Sequence, residues 1–179
     1  MKTAGNSMVV SRRSVVGTSA FCILSALLPR KASAKGISEG EIASELWKEA
    51  VKKAQLEGSQ VQENIPPGTK AMPFSHVSGA SNSLTILIKG VPTVVQAIAA
   101  YNAYGNGNID TCYDAWIQCG SGQSVSHCVH SWTVIDGGKT LAVRYTCSIK
   151  SPFNAVETAC SFYCEFWSDG SEYLKGGPL

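Results

Sequence analysis

From residue 128 to residue 167 the chain alternates with a period of two, and the apolar side of that alternation carries four cysteines. Val129, Ser131, Thr133 and Ile135 fall on one face of an extended segment, with Cys128, His130, Trp132 and Val134 on the other. Asp136-Gly137-Gly138 then signals a tight hairpin. The return strand sets Leu141, Val143, Tyr145, Cys147 and Ile149 against Thr140, Ala142, Arg144, Thr146 and Ser148. After Ser151-Pro152 a third strand places Val156, Cys160, Phe162, Cys164 and Phe166 opposite Glu157, Ser161 and Glu165. A one-residue slip would turn every one of these side chains over, so the pattern specifies an antiparallel meander with apolar residues and cysteines on its buried side.

Ahead of the meander, residues 35–58 predict an amphipathic helix. Ser38 with Glu41 makes a capping box, Ile37 and Ile42 sit at hydrophobic-staple positions, and Gly58 stands where a helix stops. Ile42, Ala43, Leu46, Trp47, Ala50, Val51 and Ala54 form one apolar stripe centred on Leu46. Residues 59–83 turn to Ser, Gln, Pro and Gly and predict a surface loop or tether. Leu84 to Ile88 is a short strand, and Pro92 opens a run to Tyr104 that predicts a second short helix, with Val94, Val95, Ile98 and Tyr101 on one face and Gly105 as its stop. Residues 84–179 form the cysteine-rich domain. The expected fold class is α+β, with an N-terminal amphipathic helix, a second short helix and a disulfide-stapled three-strand antiparallel sheet.

Residues 1–34 have the form of a cleavable signal peptide. A polar start ends in Ser11-Arg12-Arg13-Ser14, an apolar run follows from Val15 to Leu28, and Ala32-Ser33-Ala34 supplies the small residues that signal peptidase needs. The segment resembles the bacterial twin-arginine signal, with Arg12 and Arg13 as its pair. It departs at Val15, where that pattern favours Phe, and it lacks the downstream basic residue. Cleavage after Ala34 predicts a mature chain beginning at Lys35 and working in the periplasm or outside the cell, with no further transmembrane segment. Of the 15 basic residues, Lys2, Arg12, Arg13, Arg30 and Lys31 lie in this leader, leaving 10 basic against 13 acidic and a net charge of −3. Arg144 is the only arginine left, which argues against nucleic-acid binding.

The mature part keeps six of the seven cysteines: Cys112, Cys119, Cys128, Cys147, Cys160 and Cys164. An even number in an exported chain predicts up to three disulfides, with Cys112 closing a loop to Cys119. His127, Cys128 and His130 are the one dense cluster of metal-type ligands. On an extended strand His127 and His130 point apart, whereas Cys128 and His130 share a face. No serine-nucleophile, phosphate-loop or dinucleotide pattern occurs, so neither catalytic residues nor a cofactor are expected.

Tyr104-Gly105-Asn106-Gly107-Asn108, followed by Cys112 and Cys119, resembles the start and paired cysteines of the pediocin-type antimicrobial peptides. Asn108 stands where that family has Val, the cysteines are displaced and farther apart, and the leader is of another kind. A glycine-asparagine turn ahead of a disulfide loop accounts for the same residues. Three functions are therefore consistent with the sequence. The first is an exported, noncatalytic, disulfide-stabilised interaction domain with a protein partner, such as the small accessory subunit of an exported complex. The others are a secreted antimicrobial or toxin precursor with a cysteine-rich C-terminal active part, and a small periplasmic metal-binding protein.

Overall fold

The Ser38 hydroxyl accepts from the Glu41 amide at 3.1 Å, and the Glu41 carboxylate accepts from the Ser38 amide at 2.7 Å. This reciprocal box satisfies two amides that no helical carbonyl can reach, and it starts helix α1 (Glu39–Glu57) where the sequence predicts. Gly58 ends the helix in the left-handed region at φ 72°. The expected staple does not close, because Ile37 is 68% exposed. The structure is a computed structural model and describes residues 36–73, 76–150, 152 and 156–179. Arg12, Arg13, Ala32 and Ala34 lie outside the described residues.

Beyond α1 the expected α+β class is overturned. Among the described residues the chain forms one helix and nine strands: β1 (Val61–Ile65), β2 (Val77–Ala80), β3 (Leu84–Ile88), β4 (Val91–Ala103), β5 (Ile109–Cys119), β6 (Ser124–Ile135), β7 (Thr140–Lys150), β8 (Glu157–Trp167) and β9 (Glu172–Pro178). The first sheet runs β1-β6-β7-β8-β9, all antiparallel. In the second, β4 pairs with β5 along one edge, while β3 and β2 follow each other along the opposite edge. The expected second helix is β4. Its β-branched residues Thr93 and Val95 point inward with Ala97, Ala99 and Tyr101, alternating with Pro92, Val94, Gln96 and Ile98, which is a strand period. Lys89 and Gly90, both at positive φ, form the two-residue turn that leads into it from β3. The expected loop at 59–83 contributes β1 and β2. The meander is correct in its faces but too small, since β1 and β9 extend it on both sides. Val156, expected on the buried face, lies just ahead of β8 and is exposed.

The two sheets pack face to face. Leu141, Val143, Tyr145 and Ile149 of β7 and Phe162 and Phe166 of β8 meet Ile86, Val95, Ala97, Ala99 and Ile117 of the second sheet in one core. Each fully buried aliphatic or aromatic side chain there contributes about 1.5–3 kcal/mol. Helix α1 covers the other face of the first sheet. Ala43, Trp47, Ala50 and Ala54 pack on Ile135, Ala142 and Tyr163, with Leu46 and Val51 half-buried beside them. A side chain at Gly40 would place its Cβ 2.7 Å from the Gly177 carbonyl oxygen, so glycine lets the first helical turn sit directly on β9. At the other end Lys53 pairs with Asp136, and the Glu57 carboxylate accepts from the Asp136 and Gly137 amides at 3.3 and 3.2 Å. The architecture is helix on sheet on sheet.

The disulfide staples of the expected fold are also absent. All six cysteines beyond residue 34 are described and none is bonded to another. Cys112 and Cys119 cannot close a local loop, because they stand toward opposite ends of β5, on the order of 20 Å apart at about 3.3 Å per residue. The cohesion of the sheets comes from apolar burial and ladder hydrogen bonds instead.

Candidate functional site

A β-bulge sets up the most distinctive group of side chains. In the β6–β7 ladder Ser126 pairs with Ser148 and Val129 with Thr146, so His127 and Cys128 together oppose Cys147. His127 takes a left-handed φ of 49°, which is strained for a residue other than glycine. Cys128 keeps the inner face that it shares with Trp132 and Val134, and His127 is exposed. On the far side of β7, Cys147 pairs directly with Cys160 of β8. Three thiols thus run in a row across β6, β7 and β8. Cys119, at the end of β5 in the facing sheet, closes over them and influences the ionisation of Cys147 and Cys160.

The row is electrostatically asymmetric. Interaction with the neighbouring Cys147 thiol, helped by the Ile117 backbone, lowers the Cys128 pKa to about 7 against the opposing effects of burial and Asp114. Cys147 is correspondingly pushed up, by its interaction with Cys128 and by burial. Burial raises Cys119 to about 11, with Cys128 adding to it, and burial raises Cys160 to about 12, with Cys119 adding to it. Cys119 and Cys128 are half-buried, whereas Cys147 and Cys160 are buried. Cys160 directs its S–H to the Thr158 carbonyl at 3.5 Å.

The two remaining cysteines lie elsewhere. Cys112 donates to the Asp114 carbonyl at 3.4 Å and is pushed up to about 12, first by burial and then by the Asp114 charge. Cys164 sits opposite Val143, one turn of the ladder beyond Cys160, and burial raises it well above its usual value. The metal-type cluster His127, Cys128 and His130 is not assembled. His127 points to solvent, and His130 is buried near Asp114 with its pKa lowered chiefly by burial. Among the described residues no three His, Cys, Asp or Glu side chains stand close enough to hold an ion. The thiol row itself is the wrong shape: Cys128 and Cys160 flank Cys147 from both sides, about 9.5 Å apart at two strand spacings, while a tetrahedral thiolate site gathers its sulfurs at about 2.3 Å from one centre.

The second notable surface is the outer face of the second sheet. No helix covers it. Leu87 and Val94 are 64% and 44% exposed, and half-buried Ile98 and Trp116 are paired across β4 and β5 beside them. Gln96 and Gln118 complete an uncharged patch. Sequence reasoning did not reach this face, because β4 read as a helix and β5 was not foreseen; the Lys89-Gly90 turn was the available signal. The Tyr104–Asn108 segment is the β4–β5 hairpin turn, in which the Tyr104 and Gly107 amides donate to the Asn108 and Tyr104 carbonyls, both at 2.8 Å. No protein-family model, curated protein or solved structure matches the chain.

Proposed function

We propose that this chain is an exported, noncatalytic interaction domain that docks a protein partner through the outer face of its second sheet, as the small subunit of an exported complex does. The carrying observation is the asymmetry of the layers: α1 seals the outer face of one sheet, and the other presents Leu87, Val94, Ile98 and Trp116 without a charge among them. A contiguous uncharged apolar patch is a surface of the kind that protein partners bury. The twin-arginine-like leader supports export, since that route carries folded cargo and lets a small subunit travel with a larger one. The integration of α1 and β1 with β6 to β9 favours an intact domain over release of a C-terminal peptide.

The test is affinity isolation of the mature protein from the periplasm or medium of an expressing host, comparing wild type with a Leu87→Asp/Val94→Asp double variant. A partner recovered in fixed stoichiometry with wild type, and lost from the double variant at unchanged melting temperature, supports the reading. A wild-type protein that is a lone monomer in that compartment overturns it.

A further inference from the structure

We propose that Cys128 and Cys147 form a thiol–disulfide exchange site, with Cys128 as the attacking thiol, Cys147 as the resolving thiol and a small-molecule disulfide as the substrate. The inference stands apart from the docking surface, which lies on the other side of the second sheet.

Four observations converge on this pair. The β6 bulge takes up its extra residue at His127, in the left-handed region, and so keeps Cys128 in step with the Val129–Ile135 ladder, against Cys147 on the inner face. Antiparallel neighbours stand about 4.5–5.5 Å apart at Cα, inside the range that a disulfide spans. Access is divided as the roles require: Cys128 is half-buried and reachable, while Cys147 is only 3% exposed behind it. Lastly, the S–H bonds differ. Cys112, Cys160 and Cys164 turn theirs to backbone carbonyls, whereas Cys147 and Cys128 have each other's thiol as the leading influence on their ionisation. The neighbouring Cys147 thiol favours a Cys128 thiolate near neutral pH, against burial and the charge of Asp114.

The chemistry balances without any group besides the substrate. The Cys128 thiolate attacks one sulfur of R–S–S–R; the substrate S–S bond breaks and R–S⁻ leaves, taking up the proton that Cys147 loses. The Cys147 thiolate then attacks the Cys128 sulfur of the mixed disulfide, forming the Cys128–Cys147 bond and expelling the second R–S⁻, which is protonated by solvent. Two protein thiols are oxidised and one disulfide is reduced to two thiols. Such a pair is reversible and half-exposed, unlike the three permanent staples expected from cysteine number. Cys160, though opposite Cys147, is fully buried and lacks the accessible member that exchange needs.

The test uses the fully reduced, folded mature protein with oxidised glutathione as the probe at pH 7.5, followed by acid quenching and peptide mapping. Wild type is expected to release two glutathiones per chain and to carry a Cys128–Cys147 cross-link. Cys147→Ser is expected to stop after one, with glutathione trapped on Cys128. Cys128→Ser should react at least tenfold more slowly than wild type. A first adduct on Cys119, a Cys147–Cys160 cross-link, or no adduct at all overturns the proposal. Because the wild-type map alone identifies the first adduct and the final bond, the outcome stands even if a serine variant fails to fold.

Discussion

At the scale of single residues, six thiols of one chemistry are separated by their surroundings alone. Cys128 ionises at about 7, while Cys119 is held up at about 11 and Cys112 and Cys160 at about 12. Alkylation follows thiolate fraction, so labelling of the folded, reduced protein should modify Cys128 first. Its rate should rise with a midpoint near pH 7, with Cys112 and Cys160 unmodified until the protein unfolds; a mass-spectrometric time course at several pH values measures this. The raised group also makes a stability prediction. Once unfolded, these thiols lose their protons near 9, whereas the folded state keeps them on until about 11 to 12, so the stability they contribute is complete below pH 9 and declines between 9 and 12. Urea midpoints should therefore fall over that interval, and a flat profile would show that the buried thiols ionise in place. The sequence put Cys128, Cys147 and Cys160 on the apolar faces of neighbouring strands, and there they are. It did not bring Cys119 to that row, because the strand carrying it was unforeseen, and it paired Cys112 with Cys119 in a local loop that the extended β5 rules out.

At the scale of elements, legibility followed how much of an element's specification is local. Helix α1 was readable because its cap, stripe and stop all lie within a single stretch, and β6 to β8 were readable because alternation over eleven or twelve residues has no helical equivalent. β4 was not, since its inward Ala97 and Ala99 suit a tightly packed sheet and a helix equally, and only pairing with β3 and β5 decides between them. β5 hides its period behind a bulge at Tyr113, and β1 and β2 are too short and polar to show one. The stripe of α1 is centred on Trp47, 3% exposed, rather than on half-buried Leu46. Trp47→Ala should cost about 3–5 kcal/mol in urea unfolding, and Leu46→Ala clearly less. Equal losses would mean that the helix is seated with a different rotation. Gly40→Val, which drives a side chain against the Gly177 and Pro178 carbonyls, should lift the first turn off β9 and shift amide protection in both elements together.

At the scale of the whole molecule, the central sheet belongs to two cores at once. Trp132, Val143 and Phe162 face the second sheet, while Ile135, Ala142 and Tyr163, on the same strands, face the helix. Neither layer can leave without exposing apolar surface on strands that the other layer needs. None of this cohesion depends on a covalent cross-link, because the six thiols are unbonded. The chain is therefore expected to unfold in one transition in the presence of excess reductant, with far-ultraviolet circular dichroism and tryptophan fluorescence giving the same urea midpoint. The two signals sample different layers: Trp47 reports the helix interface, Trp132 the core between the sheets, and circular dichroism the backbone of all three. Separate midpoints would show that α1 is an independent layer. A reduced protein without a cooperative transition would show that apolar packing is insufficient and return the fold to dependence on disulfides. A single reductant-insensitive midpoint would also fit a chain that is compact before it meets an oxidising compartment, as folded-state export demands.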